Sequence, residues 1–173
     1  PKGQGLVRGD YSFWAELERY PAVCEPVMLN GEDPFLLMFT SGTTGPAKPL
    51  LVPLKAIVAF QAYTRDAVDL RAQDAFWNLA DPGWAYGIYF GITGPLSMGH
   101  PITLYDGPFT VESTCRVIKK YAITNLTGSP TAYRLLIAAG DAFSSKVKGQ
   151  LRAVSSAGEP LNPEVIRWFA EHL

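Results

Sequence analysis

Residues 35–48 read FLLMFTSGTTGPAK: an unbroken apolar run, Phe35, Leu36, Leu37, Met38 and Phe39, passes directly into a loop of small hydroxyls and glycines that closes on a lysine. A short continuous apolar run bounded by turn residues reads as a strand buried on both faces, the pattern of a parallel sheet covered by helices. Gly42 and Gly45 allow positive φ and close backbone approach, Thr40, Ser41, Thr43 and Thr44 contribute hydroxyl donors, and Lys48 contributes a mobile cation. A set made of donors suits a polyphosphate. The same composition also makes an ordinary surface turn. A third reading, the nucleotide P-loop, needs a glycine before its lysine and a Ser or Thr after it. Those places hold Ala47 and Pro49, so the hydroxyl that would ligate magnesium is missing and a phosphotransferase is the weakest of the three.

Downstream of this loop, strand and helix patterns alternate with short connections. Leu50 to Val52 is too short to assign, and Pro53 suits the first turn of a helix reaching about Leu70, with Ala56, Phe60, Tyr63, Ala67 and Leu70 on one face. Residues 75–80 read as a strand. Residues 86–98 read as a buried helix despite Gly87, Gly91, Gly94 and Pro95. Residues 102–105 are the next strand, and Thr110 caps a helix with Val111, Cys115, Ile118 and Ala122 at helical spacing. After a strand at 123–127, Ser129-Pro130 opens a helix with Ala132, Leu135, Leu136 and Ala139 inward, which Gly140 ends. A last strand at 151–156 leads to Asn162-Pro163-Glu164, a strong helix start, and that helix runs to Leu173. Upstream, residues 1–9 are Gly-rich and polar. Asp10 or Ser12 caps a short helix to Tyr20 carrying Phe13, Trp14 and Leu17, and Asn30-Gly31 is a turn.

Alternation of this kind is the signature of parallel strands joined by crossovers. The expected fold class is α/β, a layered and mostly parallel sheet with flanking helices. Ligands in such sheets sit beyond the carboxyl ends of the strands, where the loops at Thr40, Asp81 and Ala157 are expected to emerge.

The 173 residues are 47% hydrophobic and 18% charged, enough apolar material for a substantial core. Sixteen acidic against fifteen basic residues leave a net charge of −1, which argues against a nucleic-acid partner. No apolar run approaches the ~20 residues that cross a bilayer, and PKGQGLVRGD lacks the hydrophobic centre of a signal peptide. No membrane partner and a cytoplasmic location are therefore expected. Cys24 and Cys115 have no metal-like spacing and read as free thiols. His100 and His172 stand apart from carboxylates and cysteines and read as structural or surface residues.

Thr40 to Gly45 followed by Lys48 resembles the phosphate loop of the adenylate-forming enzymes: acyl-CoA synthetases, luciferases and the adenylation domains of peptide synthetases. The resemblance implies that Thr40, Ser41, Gly42, Thr43, Thr44, Gly45 and Lys48 hold the phosphates of ATP. The chain departs from the family by having Pro46-Ala47-Lys48-Pro49 where any residue, Pro, Lys and Gly are usual, and Val52-Pro53 where a histidine tends to stand. A proline at 49 removes one N–H donor and fixes φ.

Two further loops extend the likeness. Asp81-Pro82-Gly83-Trp84-Ala85-Tyr86-Gly87 reads structurally as a turn with Trp84 and Tyr86 packed into the core. It also resembles the Asp-x-Gly-Trp segment that borders the acyl pocket and pantetheine tunnel in acetyl-CoA and propionyl-CoA synthetases, which implies acyl or CoA contacts for Trp84, Ala85, Tyr86 and Gly87. Ser155 to Glu164 reads as a capped strand-to-helix turn. It resembles the family segment in which Gly158, Glu159 and Pro160 lie against adenine and Ala157 lines the acyl pocket.

The resemblance covers the chain from about Cys24 onward. It implies ATP with Mg2+ and CoA as co-substrates, activation of a carboxylic acid to an acyl-adenylate, and thioester formation. Residues 1–173 would be an internal piece of the large AMP-binding domain, with 1–23 a partly linker-like lead-in. The small C-terminal domain, the Tyr-Gly-x-Thr-Glu motif whose Glu helps to hold magnesium, and the ribose-binding Asp belong to the remainder of a parent chain. No residue here is assigned as catalytic or as a metal ligand, and the isolated piece is expected to be inactive. The alternative is a non-catalytic module that binds a nucleotide or an acyl-CoA.

Overall fold

In the computed structural model, which describes residues 7–40 and 45–173, the apolar run forms β1 (Pro34–Thr40). Its partner is β2 (Lys48–Pro53), antiparallel, with Thr40 opposite Lys48 and Met38 opposite Leu50. The pair is a two-stranded sheet of its own. This corrects two expectations. The run is not buried on both faces, since Phe39 is 61% and Leu37 51% exposed, and the Thr40 loop does not leave a strand of the parallel sheet. Continuous hydrophobicity cannot distinguish a core strand from an apolar hairpin strand. The hairpin also absorbs Pro49, because both strands of a two-stranded sheet are edges, where a missing N–H is tolerated.

A division falls between Asn30 and Gly31. On its amino side, α1 (Phe13–Leu17) is shorter than expected, and Ser12 stands at the cap position without a side-chain cap hydrogen bond. Beyond the hairpin, α2 (Ala56–Asp66) begins two residues past Leu54, later than the Pro53 start predicted. It leads through buried Val68 and Leu70 to β3 (Phe76–Asn78).

Residues 85–97 are helical throughout, but not uniformly α. α3 (Ala85–Gly87) passes into a π-helical stretch, Ile88–Thr93, and then α4 (Gly94–Ser97). Pro95 has no N–H to return to the carbonyl four residues back and its ring would crowd that carbonyl. The wider turn relieves the conflict, and the Gly94 N–H bonds Tyr89 O, five residues back. Here Gly94 lies where a β-carbon would overlap the Thr64 hydroxyl of α2 and come 3.2 Å from Phe60 O, so the helix packs close to its neighbour.

β4 (Ile102–Thr103) precedes α5 (Val111–Lys120), whose start is fixed by a reciprocal capping box between Thr110 and Ser113. α5 stops at Lys120; Ala122 lies beyond it, exposed, with φ +50°. β5 (Asn125–Gly128) is followed by α6 (Pro130–Ala138), capped by Ser129. α6 buries Tyr133 and Leu136, while Leu135, predicted inward, is 57% exposed. α7 (Asp141–Val147) was not anticipated; it buries Phe143 and Val147. β6 (Ala153–Ser156) and α8 (Pro163–His172) complete the chain, with Asn162 Oδ1 accepting the Glu164 N–H at 3.0 Å.

Strands β4-β3-β5-β6 form one parallel sheet in that order. Trp77 and Leu126 point to one face with Ile118, Tyr133, Leu136, Phe143 and Val165 of the helices. Phe76 belongs to the other face with Val68, Leu70, Tyr63 and Ile102. The α/β class and the mostly parallel, helix-flanked sheet are therefore as the alternation predicts.

At the amino ends of the strands an ionic knot holds the sheet. Asp74, with its side chain 1% exposed, accepts from Thr124 Oγ1 (2.8 Å), Arg152 Nε (2.9 Å) and the Arg71 N–H (3.0 Å). Burial opposes its ionisation most strongly. The Arg152 guanidinium and the other donors outweigh that penalty and hold the carboxyl well below its usual range.

Candidate functional site

The carboxyl ends of the parallel strands lie opposite the ionic knot, and two of the three predicted loops leave from there: Asp81 follows β3 and Ala157 follows β6. Asn78, the last residue of β3, shapes the first loop. Its Oδ1 accepts the Ala80 N–H at 2.8 Å and its Nδ2 donates to Tyr86 O at 3.4 Å, so one side chain pins both ends of the turn. Asp81 Oδ1 accepts the Gly83 N–H at 2.6 Å and Asp81 O accepts the Trp84 N–H at 3.0 Å. Asn78 was not singled out in the sequence. A polar residue closing an apolar strand just before a turn was the available signal.

The loop directs Trp84 and Tyr86 differently. Trp84 is 67% exposed, which overturns its assignment to the core. The Tyr86 ring leans on Phe90, with centroids 5.5 Å apart. Its hydroxyl is shut off from solvent and faces the hydroxyls of Tyr63, Ser155 and Thr127 without a hydrogen bond of ordinary geometry. Burial first, then the neighbouring Tyr63, pushes its pKa up, so Tyr86 is a neutral polar group at any working pH. Thr127 and Ser155 hydrogen-bond to each other across β5 and β6. Tyr86 thus brings the 81–87 loop against the end of β6, two residues before half-buried Ala157. Gly87 is buried where any β-carbon would overlap the Asp81 carbonyl.

Gly158 has φ +92°, and Glu159 and Pro160 are exposed beside it. A groove of ≈ 340 Å³ beside this loop is lined by Tyr133, Ser156, Leu161, Val165 and Phe169. A second cleft, ≈ 400 Å³, lies at the ends of β3 and β4 between Asp81, Pro82, Tyr105 and Phe109.

Of the predicted phosphate set, Ser41, Gly42, Thr43 and Thr44 lie outside the described residues. Thr40 and Lys48 face each other across the hairpin, Thr40 Oγ1 donating to Lys48 O at 3.4 Å, and Gly45 and Lys48 are exposed. The Lys48 ammonium and the Thr40 hydroxyl can both donate, which suits an anion. Among the described residues no group of three His, Cys, Asp or Glu side chains could hold a metal ion. Among the same residues no helix is long and apolar enough to cross a membrane.

Acetyl-coenzyme A synthetase of Xanthomonas campestris pv. campestris is 37% identical over 167 residues, 94% of this chain and 26% of that protein. The acetyl-coenzyme A synthetase of Bacillus subtilis is 39% identical over 141 residues, 81% of this chain and 25% of that protein. The chain thus spans about a quarter of the length of these relatives. The crystal structure of Brucella canis acyl-CoA synthetase superposes on all of this chain and 32% of its own with a TM-score of 0.93 and 55% identity. An anthranilate CoA ligase solved in complex with anthranoyl-AMP covers 98% of this chain and 33% of its own at a TM-score of 0.85 and 26% identity. The model of the AMP-binding enzyme family matches residues 4–173, and the chain belongs to that family.

Proposed function

We propose that residues 1–173 form part of the large AMP-binding domain of an AMP-forming acid–thiol ligase, an acyl-CoA synthetase. In the first half-reaction a carboxylate oxygen attacks the α-phosphorus of ATP, the bond to pyrophosphate breaks, and acyl-adenylate and pyrophosphate result. In the second the CoA thiol, losing its proton, attacks the acyl carbonyl carbon and AMP leaves. The observation that carries this reading is the meeting of Tyr86 with Thr127 and Ser155 at the carboxyl end of the parallel sheet. It joins the 84–87 segment to the strand that leads into Ala157, in a chain matched to the AMP-binding family along nearly all its length.

In this reading Thr40, Gly45 and Lys48, with Ser41 to Thr44, serve the phosphates; Gly158, Glu159 and Pro160 serve adenine; and Trp84, Ala85, Tyr86, Gly87 and Ala157 shape the acyl and thiol end. The donor character of Thr40 and Lys48 fits phosphate oxygens and leaves Mg2+ to arrive with the nucleotide. Work at such a site is positioning and charge compensation. A cytoplasmic location goes with these soluble small-molecule substrates.

Lys48→Ala in the full-length enzyme is expected to lower kcat/KM for ATP about ten- to a hundredfold, the range of a charge-assisted contact. Its fold should be unchanged, because Lys48 is exposed on β2. Acid-dependent pyrophosphate exchange measures this, and an unaltered kcat/KM would remove Lys48 from the site. A catalytically silent parent enzyme that still bound nucleotide would favour the binding-module alternative.

Tyr86→Ala is expected to shift the preferred acid toward longer or bulkier chains, each newly buried methylene contributing about 0.8 kcal/mol, or roughly fourfold in kcat/KM. Relative rates over a series of straight and branched acids report it. An unchanged ranking would return Tyr86 to a purely structural role.

A further inference from the structure

The 157–160 loop has little to hold its own shape. Among the described residues no main-chain hydrogen bond secures residues 157–161, and Gly158 sits in left-handed backbone that gives the turn no regular continuation. One turn of α6 supplies the anchors instead. Tyr133 Oη donates to Ser155 O at 2.6 Å and to Leu126 O at 3.2 Å, fixing the end of β6. Thr131, two residues before that tyrosine, and Arg134, one after it, complete the grip. Thr131 Oγ1 donates to Glu159 Oε2 at 2.7 Å, Arg134 Nη2 reaches the same oxygen at 3.2 Å, and Arg134 Nη2 donates to Thr131 Oγ1 at 2.7 Å. The three side chains close a triangle, so the carboxylate of Glu159 is turned toward α6.

We infer that Thr131 and Arg134 are positioning residues for nucleotide recognition: through Glu159 they hold the 158–160 backbone in the conformation that receives the base. The inference rests on the reading of that loop as the adenine contact. Glu159 and Arg134 are both partly exposed, so the triangle adds little to global stability. Its effect is on the population of one loop conformation, and a ligand that needs that conformation binds more weakly in proportion to the fraction lost.

The test uses the full-length enzyme and steady-state kinetics with ATP and, separately, GTP. Arg134→Ala and Thr131→Val are expected to raise the KM for ATP about three- to tenfold with kcat within twofold, and to narrow the preference for ATP over GTP. Thr131→Ser, which keeps the hydroxyl, is expected to restore both. Thermal unfolding temperatures should match the parent within a few degrees, and a purely structural role would not move base preference. Gly158→Val, strained at φ +92°, separates the two levels of the argument. An effect of Gly158→Val on KM with none from Arg134→Ala or Thr131→Val overturns the positioning role and leaves the loop reading standing. No effect from any of the three overturns the loop reading, and the positioning role with it.

Discussion

Gly87→Ala is expected to destabilise the enzyme by about 3 kcal/mol, the upper range for overpacking a site that cannot yield. The added β-carbon would overlap the carbonyl of Asp81 and come 2.9 Å from that of Ala80. Both obstacles are main chain, and that main chain is held by Asn78, whose side chain bonds Ala80 on one side and Tyr86 on the other. Relief therefore means moving the whole turn, with Trp84 and Tyr86 on it. The penalty should appear as a lowered melting temperature of the full-length enzyme, and kcat/KM for the acid should fall with it. Gly83→Ala is the control, because its new β-carbon would come 3.0 Å from Asp81 Oδ1, the end of a side chain that can turn. That variant should cost less than about 1 kcal/mol. Thermal unfolding of the two variants side by side decides the matter, and equal penalties would show that the 81–87 turn is not held as described.

Asp74→Ala should cost a comparable amount, about 3 kcal/mol, for a different reason. Removing a desolvated carboxylate leaves the Thr124 hydroxyl and the Arg71 N–H without their acceptor and the Arg152 guanidinium with only its contacts to Asp69. The effect carries a pH signature. Since the folded pKa is depressed, the carboxylate contributes stability that is fully present above its unfolded value near 3.9 and is lost as pH falls through the folded value. Unfolding by denaturant between about pH 6 and pH 3 should show the wild-type protein losing its advantage over Asp74→Ala as pH drops below about 4. A difference independent of pH would remove charge from the explanation. The knot lies at the amino ends of the strands, so KM values at ordinary temperature should not change.

The parts of the fold that sequence made legible are those where a local rule and the tertiary context agree. Thr110 and Asn162 read as caps and Ser129-Pro130 as a helix start, and Thr110, Ser129 and Asn162 each accept the hydrogen bond that a cap should. The helix across 85–97 was read through four unfavourable residues because its apolar content is continuous, although periodicity could not reveal a π-helical centre. The hairpin was misread because Phe35 to Phe39 look alike whether a helix layer or only a second strand lies beside them. α7 is hidden in the sequence because Gly140 reads as a stop; Phe143 and Val147, one turn apart, signal the restart. The 81–87 and 157–160 loops of the candidate site stand out in the sequence only by likeness to a family. Asn78, Thr131 and Arg134, which hold those loops in shape, act through contacts between segments that no single stretch of sequence displays.

The wide turn at Ile88–Thr93 sets an angular phase. A residue added to a helical turn rotates everything beyond it by about 100° relative to an unbroken α-helix. On the near side of that offset the chain presents Tyr86 to the hydroxyls at the end of the sheet; on the far side it presents Gly94 to Thr64, at a distance that admits no β-carbon. An unbroken helix could satisfy one of these alignments and would swing larger neighbours into the other. Pro95 therefore lets a single helix keep two angular appointments, one with the hydroxyls at the end of the sheet and one with the helix packed behind it.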